Sequence, residues 1–223
     1  FCRLVRLVAE ALRRIDLRVD PDADLSAVGE HLKRGGVVAY PTETVYGLGS
    51  LPSEQGIRNL RDLKGRTDEK PFILLVESAE AVQELDWTEE ARELASVFWP
   101  GAVTLVLSDP QGFFSEGAHG TGSSVAVRRS PQAAVARLIA EVGGPITSTS
   151  ANIGGSTPAR SGSEVMELLR RCGRTDVIVL DAGTLPESAP STIIDCTTHP
   201  PTVLREGSVP VGRLRCAIPE IHE

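Results

Sequence analysis

Cationic and hydroxyl side chains are concentrated between residues 35 and 66. Thr42 and Thr44 lie in a hydroxyl-rich segment after an apolar stretch, and Lys64 and Arg66 lie two residues apart at the end of a short helical pattern. Lysine and arginine donate charge-assisted hydrogen bonds to phosphate and carboxylate oxygens. The pattern therefore indicates a pocket for an anionic ligand with several oxygens, and nucleotide phosphates are the usual ligand of this kind.

Further polar residues fall at the predicted ends of later strands, where α/β sheets tend to bind ligands. They are Ser124, Arg128, Ser148, Ser150, Asn152, Ser191 and Arg205. Each also has a purely structural explanation, because hydroxyls satisfy turns, basic residues complement a helix C-terminus, and an arginine at a strand end can be solvated. The prediction of a binding site therefore rests on the combination and not on any single member.

No glycine-rich phosphate-binding motif accompanies these residues. The sequence contains neither GxGxxG nor GxxxxGK[ST], and no serine or cysteine lies in a recognisable nucleophile elbow. Covalent catalysis has no candidate, so the remaining possibility is a site that orients charged substrates and stabilises charge at phosphorus. The four cysteines and four histidines are scattered without zinc-ligand spacing, so no protein-held metal is expected and the cysteines are expected to be free thiols.

The composition is that of an acidic globular protein. The chain has 223 residues, a net charge of −7 and 4% aromatic residues, which weighs against nonspecific nucleic-acid binding because that binding depends on phosphate neutralisation and base stacking. No apolar run approaches the length of a membrane span, and arginines interrupt the apolar residues at the N-terminus. These features predict a cytoplasmic protein without a membrane partner.

Strand-length apolar segments alternate with helical patterns, which predicts an α/β fold. Strands are predicted at 37–40, 72–76, 103–107, 124–127, 146–149, 177–180, 192–195 and 202–204, with a short one at 17–19. Helices are predicted at 4–15, 25–33, 54–63, 79–85, 89–98, 131–142 and 163–171, the last capped by Ser163. The final strands have no helices between them, so the sheet should be mixed. Residues 109–123 form a predicted loop that could act as a lid.

Seven segments, in order, resemble the YrdC-like family of L-threonylcarbamoyladenylate synthases: PTETVYGLG, KGR, WPGAVTLVL, SVAVR, STSAN, PSTIID and LREG. The similarity extends from about Gly35 to Gly207. It implies a single YrdC-like domain at 17–211, built on a twisted mixed sheet flanked by helices with an open concave cleft. Residues 1–16 would then be an N-terminal extension, and residues 212–223 a C-terminal tail.

The resemblance also implies a reaction. L-Threonine and bicarbonate would form a carbamate that attacks the α-phosphate of ATP, giving threonylcarbamoyl-AMP and pyrophosphate. Mg²⁺ is expected to arrive with ATP, held mainly by phosphates and water. The product would serve the t6A modification of tRNA beside the anticodon, so a downstream threonylcarbamoyl-transferase complex and tRNA are expected partners.

Two sets of binding residues follow from the matched motifs. The implied ATP-binding set is Lys64, Arg66, Ser124, Ser150, Asn152 and Arg205. The implied set for threonine and its carbamate is Thr42, Thr44, Lys70, Arg128, Ser148 and Ser191. Lys64 and Arg66 are also expected to act in catalysis, by offsetting phosphate charge, and both are expected to be exposed at a helix end.

The chain departs from the family pattern mainly on the amino-acid side. Thr67 replaces a proline, and Lys70-Pro71-Phe72 replaces a histidine or asparagine followed by Pro-Leu, so Lys70 stands where a threonine-contacting residue is expected. Lys70 could pair with a substrate carboxylate or point to solvent. Two alternatives therefore stay open: a paralogue that forms a carbamoyl adenylate with a different donor or acceptor, and an RNA-binding module whose tight binding would collapse with salt.

Overall fold

The sheet is the central element of the structure, a computed structural model that describes residues 13–65, 70–114, 116–153 and 155–223. Its strands are β1 (Arg13–Asp16), β2 (Val37–Pro41), β3 (Tyr46–Gly49), β4 (Ile73–Leu75), β5 (Val103–Ser108), β6 (Ser124–Arg128), β7 (Ile146–Ser150), β8 (Val177–Asp181), β9 (Thr192–Asp195) and β10 (Thr202–Arg205). The helices are α1 (Ser26–Lys33), α2 (Glu54–Lys64), α3 (Glu89–Phe98), α4 (Ala133–Val142), α5 (Gly162–Arg171) and α6 (Val211–Leu214).

The strands follow the order β1-β8-β2-β3-β7-β4-β6-β5-β9-β10. The pairs β1–β8, β8–β2, β4–β6 and β5–β9 are parallel, and the other pairs are antiparallel. The predicted mixed α/β sheet is therefore confirmed. The antiparallel pairs include the β2–β3 hairpin, whose loop carries Thr42 and Thr44.

Helices cover the two faces of the sheet unequally. One face forms the larger core, with buried residues from α2, α3 and α5. The smaller core on the other face joins α1 and α4 to β8, β2, β7 and β4, and Ile15 of β1 packs against it. On β5 and β6, Val106 and Ala126 alternate with core residues and line an open cleft instead. The open cleft thus lies beside the second half of the sheet.

Side-chain hydrogen bonds cap the first turns of α2, α3 and α5. Ser53 Oγ accepts a hydrogen bond from Gly56 N at the start of α2, and Gly65 ends this helix in the left-handed conformation, with φ of 59°. Helix α5 is capped by Ser161 and not by Ser163 as predicted, because Ser161 Oγ accepts from Glu164 N. Among the described residues, none of the helices combines the length and apolar character needed to cross a bilayer.

The predicted domain, residues 17–211, is too short at both ends. Arg13–Asp16 form an edge strand paired with β8, so the end of the predicted 4–15 helix is wrong; residues 1–12 lie outside the described residues. The strand predicted at 17–19 is a turn that follows β1. The predicted tail instead packs into the larger core through the buried side chains of Leu214, Ile218 and Ile221.

Two further elements differ from prediction. The helix expected at 79–85 is reduced to the 3₁₀ helix Glu80–Val82, after which the chain turns. Strand β3 was not predicted, because glycine has a low strand propensity and the segment reads Tyr-Gly-Leu-Gly. A Cβ on Gly49 would lie 2.1 Å from the carbonyl oxygen of Thr147, so the close approach of β7 requires glycine there.

Candidate functional site

Helix α2 delivers Lys64 to the end of β7. The Lys64 Nζ donates to the carbonyl oxygens of Ser150 and Asn152, each at 2.7 Å, and to Asn152 Oδ1 at 2.5 Å. Ser150 Oγ donates to the same amide oxygen at 2.8 Å. Lys64 is only 5% exposed, so the expectation of an exposed lysine is wrong. These hydrogen bonds show that Lys64 holds the loop after β7 in place. Arg66 lies outside the described residues.

Thr42 and Thr44 lie in the β2–β3 loop and are both buried. Thr42 Oγ1 donates to Val45 O at 2.7 Å and accepts from the backbone N–H of Thr44 and Val45. The two threonine hydroxyl oxygens are 3.1 Å apart. The hydroxyl of Thr42 therefore shapes the turn, and it positions Thr44 beside it.

Glu43, between these threonines, ties the loop to β6. Glu43 Oε1 lies 2.8 Å from Arg128 Nη1, and Ser130 Oγ donates to Glu43 Oε2 at 2.7 Å. Sequence reasoning did not single out Glu43, although a carboxylate within a hydroxyl-rich turn is itself a signal. Arg128 is 4% exposed, and its Nε is buried without a hydrogen-bond partner in the described part of the chain. A buried donor in this state is suited to an incoming acceptor.

A second arginine, Arg205, lies in β10, on the opposite side of β5 from the strand β6 that carries Arg128. Arg205 Nη2 donates to the carbonyl oxygen of Ser191 at 2.7 Å and to its hydroxyl at 3.3 Å, and Thr104 Oγ1 donates to the same hydroxyl at 3.0 Å. Burial lowers the pKa of Arg205, and the nearby charge of Arg128 lowers it further. Two guanidinium groups thus lie within electrostatic reach of one another, a costly arrangement that a bound anion would relieve.

Strand register places Ser148 between the hairpin and β4. Ser148 lies opposite Ile73 of β4, and Ser150 lies opposite Gly47 of β3. Burial raises the pKa of Tyr40, while a hydrogen bond with Ser148 opposes that rise. Tyr40 also donates to the carbonyl oxygen of Thr147 at 3.0 Å. Tyr40 therefore remains a neutral donor that fixes this part of β7.

The cleft has a volume of about 1470 Å³. This exceeds the roughly 300–1,000 Å³ of an ordinary small-molecule pocket, which leaves room for a nucleotide and a second substrate. Eleven of the predicted binding residues are described in the structure, and two of them, Lys70 and Ser124, line this cleft. The other nine are not among its lining residues and belong to the hydrogen-bonded groups described in the preceding paragraphs. The cleft is also lined by residues outside the two predicted binding sets, including Arg58, Arg61, His119 and Asp195.

The 109–123 loop forms one wall of this cleft. It contains the 3₁₀ helices Glu116–Ala118 and Thr121–Ser123, and the side chains of Phe114 and His119 line the cleft. Asp109 holds the loop from within, because its carboxylate accepts from the backbone N–H groups of Phe113 and Phe114, each at 3.0 Å. The loop is therefore internally braced where it meets the cleft.

The described residues contain no cluster of three or more His, Cys, Asp or Glu side chains that could hold a metal ion.

Comparison with known proteins gives consistent matches. The Sua5/YciO/YrdC family model, described as "Telomere recombination", matches residues 30–207. A threonylcarbamoyl-AMP synthase of Pyrococcus abyssi is 36% identical over 194 residues, covering 86% of this chain and 56% of the relative. The Aliivibrio fischeri protein of the same name is 36% identical over 189 residues, covering 82% of this chain and 99% of the relative.

A solved structure of P. abyssi Sua5 complexed with L-threonine superposes with a TM-score of 0.83 at 32% sequence identity. The superposition covers 95% of this chain and 62% of that one. The chain thus spans little more than half the length of the Pyrococcus relative and nearly all of the Aliivibrio one.

Proposed function

The chain belongs to the Sua5/YciO/YrdC family, and from this premise we propose that it is a threonylcarbamoyl-AMP synthase. The proposed reaction joins L-threonine and bicarbonate in a carbamate and transfers AMP from ATP to it, with release of pyrophosphate. The observation that carries the proposal is the buried guanidinium of Arg128, which Glu43 of the β2–β3 loop holds at 2.8 Å and whose Nε has no hydrogen-bond partner in the described residues. The exposed Arg205 adds a second positive charge, near enough to Arg128 that the charge of Arg128 adds to partial burial in lowering the pKa of Arg205. Such a site favours an anionic substrate.

Each of the basic side chains has a separate proposed role that follows from its position. Arg128 offers its buried Nε to a carboxylate or carbamate oxygen, while Glu43 holds the guanidinium in orientation. Arg205, braced by Ser191, adds positive charge on the opposite side. Lys64 fixes Ser150 and Asn152, so the loop after β7 can present their polar groups to a nucleotide without reorganising. Catalysis of this kind depends on orientation and charge stabilisation.

Ser124 and Lys70, on the wall of the cleft, complete the proposed contacts. Ser124 belongs to the ATP-binding set and Lys70 to the amino-acid set. Mg²⁺ bound to ATP would neutralise phosphate charge during transfer to the carbamate. We further propose a cytoplasmic location and, as downstream partners, a threonylcarbamoyl-transferase complex and tRNA.

Pyrophosphate release tests the proposal directly. Purified protein with ATP, Mg²⁺, L-threonine and bicarbonate should release pyrophosphate, and omission of any one substrate should abolish the release. Omitting Mg²⁺ tests the cofactor separately. Folded protein that releases no pyrophosphate with all components present would contradict the proposal.

The position of Lys70 on the cleft wall makes the acceptor amine a separate question. The same assay with other amino acids replacing threonine measures this preference. Faster release with another amine would favour the paralogous enzyme. Salt-sensitive binding of tRNA without any pyrophosphate release would favour the RNA-binding module.

A further inference from the structure

His119 and Asp109 form an imidazole–carboxylate pair at the cleft. His119 Nε2 lies 2.8 Å from Asp109 Oδ2, and the histidine side chain is 16% exposed where it lines the cleft. The pair belongs to neither of the two binding sets discussed above. A buried carboxylate that orients a ligand-facing histidine is an arrangement suited to proton transfer.

The protonation of the pair follows from the contacts of Asp109. Burial raises the pKa of Asp109, but hydrogen bonds from the Phe114 N–H, from His119 and from the Phe113 N–H outweigh burial and lower the pKa below its ordinary value. Asp109 is therefore an acceptor, and the proton lies on His119 Nε2. In the neutral ring Nδ1 is then an acceptor, and no residue in the described part of the chain hydrogen-bonds to it.

Other charged groups surround this wall of the cleft. A Cβ on Gly120 would lie 3.1 Å from Ser124 Oγ and 3.4 Å from Pro71 Cγ, so the loop packs beside the segment that carries Lys70. The remaining charged residues that line the cleft are Glu54, Arg58 and Arg61 of α2 and Asp195 of β9.

The proposed reaction contains one step that requires a proton acceptor. An amino acid enters with an ammonium group, which has no lone pair, and it must lose a proton before the nitrogen can bond to the carbon of bicarbonate. A carboxylate, whose conjugate acid has an ordinary pKa near 4, is a weak base at neutral pH. An imidazole is a better general base there, because its ordinary pKa lies close to neutral pH.

Resting on the proposed function, we infer that His119 is the proton acceptor for carbamate formation, with Asp109 as its positioning residue. His119 Nδ1 takes one proton from the substrate ammonium. The amine lone pair then forms the N–C bond to bicarbonate, one C–O bond breaks, and water leaves, so that ammonium and bicarbonate become carbamate, water and a proton on His119. Asp109 stabilises the imidazolium through Nε2.

The test compares His119→Gln with the wild type in the pyrophosphate assay across pH. Glutamine can still donate to Asp109 through its amide NH₂, so the loop keeps its brace, but its amide oxygen is not basic enough to take a proton from the substrate. We expect kcat to fall about 100-fold or more, as for loss of a general base, with the KM for ATP nearly unchanged. The defect should shrink as pH rises, because more of the substrate is then free amine.

His222→Gln, at an exposed histidine in the C-terminal segment, is the matched control and should keep the wild-type rate and pH profile. An active His119→Gln enzyme with an unchanged rate and pH profile overturns the inference and leaves the proposed function intact. A loss of kcat that is equal at every pH also overturns it, because it indicates only a structural role. If the wild type releases no pyrophosphate, the proposed function fails and the inference fails with it.

Discussion

Lys64 shows how far a single residue can differ from its appearance in the sequence. A lysine in the last turn of a helix is usually exposed, yet Lys64 is buried against oxygens 86 and 88 residues further along the chain. The family resemblance placed Lys64, Ser150 and Asn152 in one predicted ATP-binding set. Their contact could not be predicted from spacing, because it depends on how β3 and β7 pair.

The burial of Lys64 leads to a prediction about stability. Lys64→Ala should lower the free energy of unfolding by about 2–3 kcal/mol, because three carbonyl or amide oxygens lose a charged donor. Urea denaturation measures the effect. Lys33→Ala, at an exposed lysine near the end of α1, should change it by less than about 0.5 kcal/mol. Equal stability of the two variants would mean that the Lys64 contacts contribute little.

Among the elements, short apolar runs identified the strands in the interior of the sheet, with the exception of β3. Strands β2, β5, β7 and β9 were predicted to within one residue at each end, because their apolar runs are bounded by glycine, proline or polar residues. Strand β1 was not, because Arg13–Asp16 is polar and becomes a strand only by pairing with β8. The 109–123 loop was predicted as a loop, but its bracing by Asp109 needed the structure.

That bracing predicts a pH dependence of stability. The pKa of Asp109 is lowered in the folded state, so its contribution is complete above the ordinary aspartate pKa near 4 and is lost as pH falls through the folded value. Asp109→Asn should therefore be less stable than the wild type at pH 7, by about 1–3 kcal/mol, because the buried donors lose a charged acceptor.

The stability difference between these two proteins should shrink as pH falls below about 4. Thermal unfolding of both proteins between pH 7 and pH 2 measures it. A constant difference over this range would show that the ionisation of Asp109 does not support the loop.

In the molecule as a whole, one larger core joins residues from β2 to the C-terminal segment. The family resemblance located the domain but ended it at residue 211, because the final residues have no periodic pattern. Leu214, Ile218 and Ile221 are nevertheless buried there, in a short helix and the turns after it. Packing against distant strands determines their burial, which a local pattern cannot reveal.

The C-terminal segment should therefore contribute to global stability. Leu214 has 0% exposure, and Leu214→Ala should lower the free energy of unfolding by about 2–5 kcal/mol through lost burial and a cavity. Leu204→Ala is the matched control, since Leu204 is 58% exposed and should change stability little. Urea unfolding followed by circular dichroism compares them. Wild-type stability of Leu214→Ala would show that the segment is only loosely attached.

Strand β8 separates β1 from β2, although more than a hundred residues of other structure intervene between β2 and β8 in the chain. During synthesis on the ribosome, β1 and β2 leave the exit tunnel early and have no partner between them until residues 177–181 emerge. Until β8 has been synthesised, the edge of the apolar strand β2 that β8 will cover stays unpaired and is accessible to chaperones.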